Sequence, residues 1–187
     1  MQAGEATAQD VIGFWYALGS KRWFRKDEAL DAEIRERFEA VHLSASRGEL
    51  DAWGESAVGA LALMLLLDQF PRNLYRGSPH AFATDGLARA AAERAVAQGF
   101  DLQTPVELQV FFYLPFEHHE DIESQRRGVE LCRAYDTRGA HESYLRFALI
   151  HLDIIERFGR FPHRNAILGR VSTPAELEYL AGDGFRG

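Results

Sequence analysis

The sequence predicts an all-α protein, a single helical domain over residues 1–187 made of antiparallel helical hairpins. Three observations lead there. Apolar residues recur at helical spacing along most of the chain. Capping signals and glycine stops punctuate those stretches. No comparable run alternates apolar and polar residues as a half-buried strand would.

The elements follow in order. Thr7 with Asp10 three residues later is an N-terminal cap, and VIGFWYAL (11–18) follows it. Over 28–47, Ile34, Phe38, Val41 and Ala45 share one stripe, and Gly48 stands where a C-terminal glycine belongs. Residues 56–70 are apolar on nearly every side, which places that helix at the centre. An Ala-rich helix over 86–98 ends at Gly99. TPVE (104–107) and TPAE (173–176) both read as capping boxes with proline at the first helical position. Further helices are expected over 105–114, 119–135 and 141–158, with fraying only at 1–6 and 182–187.

Composition narrows the function. A net charge of −7 argues against general nucleic-acid binding, which needs a basic surface. One cysteine, Cys132, makes no internal disulfide. The N-terminus carries no signal-peptide pattern. The greasy run Ala57–Leu67 is too short for a bilayer, which takes about 20 residues. The expected setting is the cytoplasm, with no membrane or nucleic-acid partner.

Polar residues then appear where packing alone would place apolar ones. Asp68 closes the central helix, where burial and the negative end of the helix dipole both oppose its charge, so it needs a cationic or hydrogen-bonding partner. His151 sits in the stripe Tyr144, Ala148, His151, Ile155, Phe158. His118 and Gln125 interrupt the stripe completed by Ile122, Val129 and Cys132. His119 points about 100° away from His118 on a helix and is expected in solvent. The phrases DQFPRN (68–73) and GRFPHRN (159–165) each end an apolar segment with Phe-Pro, which is expected to stop the helix. Each phrase is followed by donors, Arg72 and Asn73 in one, Arg164 and Asn165 in the other, with Arg160 and His163 nearby. Such groups suit carboxylate or phosphate. They equally suit turns in which arginines cap helix carbonyls.

FFYLPFEHHEDIESQ, LLLDQFPRNLYRG and HLDIIERFGRFPHRNAILGR followed by STPAE resemble the hallmark segments of a bacterial domain family of unknown function. The likeness runs from VIGFWY to AELEYL. It implies an all-helical fold similar to tetratricopeptide repeats and implies no reaction. The family's middle segment usually reads EHSE. Here Glu117, His118 and Glu120 match it and His119 departs.

Three functions compete. The first is a polar pocket for a small anionic metabolite, with hydrolytic acid–base chemistry from Asp68, Glu117, His118 and His151 and ligand binding by Arg72, Asn73, Arg160, His163, Arg164 and Asn165. The second is a tetratricopeptide-like scaffold for a protein or peptide, with Trp23 and Phe24 as candidate contacts. The third is a metal held by His118, His151 and a carboxylate. It lacks HExxH, a cysteine cluster and paired Glu-x-x-His, so no metal ligands are assigned. No cofactor is readable.

Overall fold

The computed structural model describes residues 6–138, 144–182 and 185. It is all-helical, with no strand among the described residues. Most of the expected fraying at 1–6 and 182–187, and the expected helix start at 141, lie outside them.

Helix α1 (Ala8–Leu18) starts on a full capping box between Thr7 and Asp10. The one-turn α2 (Ser20–Trp23) folds back on it, and the Trp23 indole donates to the Trp15 carbonyl at 2.7 Å. Phe24 stays half exposed. In α3 (Glu28–Ser46) the predicted stripe of Ile34, Phe38, Val41 and Ala45 is buried, and Gly48 supplies the positive φ after its end.

The central helix α4 (Ala57–Met64) is capped by Ser56. It runs into a π-helical turn (Leu65–Gln69) and then α5 (Phe70–Leu74). Phe-Pro was expected to stop the helix here, and it does not. Pro71 has no N–H to give and its ring crowds the preceding turn. The wider π turn makes room for it. The Leu66 and Leu67 carbonyls, which a regular ladder would pair, are met from outside. The His42 Nδ1 lies 2.8 Å from Leu66 O, and the Thr84 hydroxyl donates to Leu67 O at 2.6 Å. At Gly59 any side chain would collide with the Trp53 carbonyl, so the chain entering α4 packs backbone against backbone.

Helix α6 (Asp85–Ala97) ends before Gly99 as predicted. The single helix expected over 105–114 is instead α7 (Val106–Gln109), a 3₁₀ turn (Val110–Phe112) and α8 (Leu114–Glu117). Thr104 is not the cap. Its hydroxyl donates backwards to the Phe100 carbonyl at 3.0 Å, and Pro105 precedes α7. Helix α9 (Ile122–Asp136) starts after His118, which therefore caps α8 rather than joining the stripe of Gln125, Val129 and Cys132. Helix α10 (Tyr144–Phe158) packs along α9 and stops at Gly159. The second Phe-Pro pair thus lies beyond a glycine stop and opens a 3₁₀ turn (Pro162–Arg164). Helix α11 (Pro174–Ala181) starts on the predicted capping box of Thr173 and Glu176.

The α4–π–α5 rod touches α1, α3 and α6. One apolar core built on Trp15, Phe38, Phe70, Phe111 and Phe116 joins them. A smaller cluster, Ile154, Ile155 and Phe161, lies under the C-terminal turns. Between the two clusters sit the polar groups described next.

Candidate functional site

Asp68 sits inside the π turn and is fully buried. Its Oδ1 lies 2.7 Å from His118 Nδ1 and 3.9 Å from Arg72 Nη2, and its Oδ2 accepts from the Gln69 side chain. Burial opposes its charge, but His118, Arg72 and Gln69 together outweigh it and hold the carboxyl below its ordinary range.

The two Phe-Pro phrases meet at Asp85, the first residue of α6. Arg72 Nη2 lies 2.8 Å from Asp85 Oδ1, and Arg164 Nη1 donates to Asp85 Oδ2 at 3.2 Å. Both guanidiniums also stack on the Phe82 ring, 4.8 and 4.5 Å from its centre. Arg164 further faces Phe161 at 4.6 Å. Burial, then repulsion from Arg72, lowers the Arg164 pKa to about 10, so it stays charged at neutral pH. Burial raises the Asp85 carboxyl, with Arg72 opposing and the Asp68 charge adding to the rise.

Glu117, the last residue of α8, is buried, and its Oε1 lies 3.0 Å from His151 Nδ1. The same nitrogen lies 2.8 Å from the Phe147 carbonyl one turn back in α10. The rings of His118 and His151 are 6.4 Å apart, and Phe161 and Phe185 pack on His151 at 5.3 and 4.7 Å. His163 completes the group. Burial, then the Arg164 and His151 charges, depresses it to about 4, so its ring is neutral. Cys132 is free and buried. Burial, then the Glu117 and Asp136 charges, pushes its thiol up, so it offers no ready thiolate.

Seven sequence-predicted residues are therefore brought together: Asp68, Arg72, Glu117, His118, His151, His163 and Arg164. Three are not. Asn73 turns toward α3 and donates to Asp31 at 2.7 Å, beside the Arg76–Asp31 ion pair. One helical residue after Arg72, it points about 100° away. Arg160 follows the glycine stop and forms a two-pronged pair with Glu176, at 2.6 and 2.8 Å. Asn165 donates to Ser172 at 3.0 Å and ties down the following loop. Asp85 and Phe82 were missed. An acid in the first turn of a helix reads as an ordinary complement to the dipole, and only the fold reveals the two arginines on it.

Arg72 Nη2 and Asp85 Oδ1 have only each other, while three further buried atoms of the group, Arg164 Nε, His163 Nδ1 and Glu117 Oε2, have no hydrogen-bond partner. Such atoms are costly unless something fills the gap. Arg72 and His118 face outward most, with about a fifth of each side chain exposed. Among the described residues no cluster of three or more His, Cys, Asp or Glu is placed to hold a metal ion. None of their helices is long and apolar enough to cross a membrane. A shallow cleft on α10, lined by Leu145, Arg146, Leu149, Ile150 and Asp153, contains none of these groups.

No curated protein matches the sequence. A protein of unknown function from Agrobacterium tumefaciens, ATU0120, has a solved structure that is 51% identical. The match covers 92% of this chain and 96% of that one, with a TM-score of 0.86. The family model described as bacterial protein of unknown function (DUF924) matches residues 11–184, almost the entire chain. The chain belongs to that family.

Proposed function

We propose that the group around Asp68 and Asp85 binds a small anionic metabolite, a carboxylate or a phosphate, and that His118 moves a proton on it. The observation that carries this reading is a pair of arginines, Arg72 and Arg164, that share one carboxylate, with Arg164 Nε and His163 Nδ1 left without partners, beside a histidine braced by a buried aspartate. Asp68 engages His118 at Nδ1, and its Nε2, which no hydrogen bond engages among the described residues, is left for a ligand. The arginines are partly neutralised by Asp85, so the ligand competes with an internal carboxylate and binds modestly. We place the protein in the cytoplasm, with Cys132 reduced.

A panel of small carboxylates and phosphates, followed by calorimetry and thermal shift, tests the reading. At least one is expected to bind, and Arg164→Met is expected to weaken it by tenfold or more while the fold persists. Equal binding by the variant would sink the idea.

A second reading keeps tetratricopeptide-like stacking and makes the chain a peptide scaffold. The α9–α10 hairpin and the apolar cleft on α10 between Arg146 and Asp153 favour it. Leu149→Asp should then abolish peptide capture and leave metabolite binding untouched.

A further inference from the structure

Helix α10 buries one side and leaves the other uncovered. Tyr144, Ala148, His151, Ile154 and Ile155 face inward, where the helix packs along α9 and meets α8. On the outward side, side chains four residues apart line up as ridges along a helix. Leu145, Leu149 and Asp153 form one ridge, and Arg146 and Ile150 form the next. The shallow cleft on α10 is the groove between them, since these five residues line it. A groove between two such ridges is the shape that receives a ridge of another helix. Leu149, at its centre, is 45% exposed. A lone exposed leucine is ordinary. Here Leu149 stands beside half-buried Leu145 and Ile150, so apolar surface runs across the middle of the groove.

The charges at the two ends of the groove say what fits it. Arg146 stands at the amino-terminal end and Asp153 at the carboxy-terminal end, both exposed. Their midpoint falls between Leu149 and Ile150. A two-fold axis through that point, perpendicular to the helix, lays a second α10 antiparallel on the first. It brings Arg146 of each copy to Asp153 of the other and sets Leu149 against Ile150. Each charge stands about 5 Å along the helix from the axis, within reach of an arginine even where the helices cross at about 50°. A parallel pair would set Arg146 on Arg146 and Asp153 on Asp153, so the charge order selects the antiparallel one. Asp153 is free to take part. Its pair with Arg157, at 3.3 Å, joins side chains that are both more than half exposed, and such pairs hold weakly.

We propose that α10 is the seat of a two-fold homodimer, the groove of each copy receiving the Leu149 ridge of the other. An interface of this kind is self-complementary, as the face is. An unrelated peptide would match the apolar surface alone, whereas a second copy matches both charges as well. One helix crossing is small against the roughly 1,200 Å² of a stable complex, so the dimer is expected to dissociate in the micromolar range. The inward side of α10, with His151, takes no part, so the dimer stands apart from the anion-binding reading. It competes with the peptide-scaffold reading for the same groove.

Sedimentation equilibrium of the full chain, from about 1 µM to about 1 mM, tests it. Wild type is expected to pass from monomer to dimer. R146D and D153R each set like charges across the axis in two places, and each is expected to raise the dissociation constant tenfold or more. Mixed in equal amounts, the two variants carry opposite charges at both contacts. The mixture is expected to dimerise at concentrations where neither variant does alone. L149D is expected to stay monomeric. All three positions are exposed, and circular dichroism checks that each variant folds. A wild type that stays monomeric over the whole range overturns the dimer, and capture of a peptide by that monomer through Leu149 gives the groove to the scaffold reading. A dimer that survives L149D overturns the seat on α10. Single variants that dissociate but fail to pair in the mixture overturn the Arg146–Asp153 register.

Discussion

Asp68 depends on its partners to stay charged. It is wholly buried, and its charge survives because His118, Arg72 and Gln69 surround it. Asp68→Asn keeps the shape and removes the charge. It is expected to cost about 3 kcal/mol in chemical denaturation, the scale for breaking a buried charged pair. It should also change the His118 tautomer in ¹⁵N spectra, because an amide can donate where a carboxylate only accepts. An unchanged tautomer would separate Asp68 from the orientation of His118. At this scale the sequence was informative where a polar residue interrupted an apolar pattern, as at Asp68 and His151, whereas His118 was assigned to a stripe it does not join. It was silent on Asp85, whose position at a helix start looks ordinary until Arg72 and Arg164 arrive from either side. It also misplaced Asn73 and Asn165, because adjacency in a motif is not adjacency in space.

Helix starts were legible when the side chain had one use and misleading when it had two. Thr7 and Thr173 close full capping boxes. Thr104 carries the same TPxE signature, but a 3₁₀ turn (Asp101–Gln103) brings the Phe100 carbonyl within reach of its hydroxyl. Local bonding of this kind competes with capping. Thr173→Ala is therefore expected to lower stability by about 1 kcal/mol. A thermal melt that does not shift would count against the Thr173 cap. The π turn was not legible at all. Its requirement comes from Pro71, but its feasibility comes from His42 and Thr84, which lie on other segments and satisfy the stranded carbonyls.

At the scale of the whole molecule, acid should act in two stages. His163 has a folded pKa of about 4 against an ordinary 6.5, and burial lowers His42 as well. Between those values the unfolded chain binds more protons, so stability is complete above pH 6.5 and falls as pH drops toward 4. Asp68 and Glu120 are held low, and Glu176 is held at about 2, so their contribution is lost only at more acid pH. Asp85, raised, works against this second stage. Melting temperature measured against pH should thus begin to fall below 6.5, and His163→Gln should flatten that first decline. A plateau down to pH 4 in the wild type would contradict the burial of these rings. The π turn has a consequence at this scale too. One extra residue in a helix rotates everything after it by about 100° relative to what came before. The stripe that α4 turns toward α1 and α6 is therefore out of phase with the stripe that α5 turns toward α3. One continuous rod serves two packing layers, and Asp68 lies at the change of phase, where a side chain can leave both greasy faces and point between them.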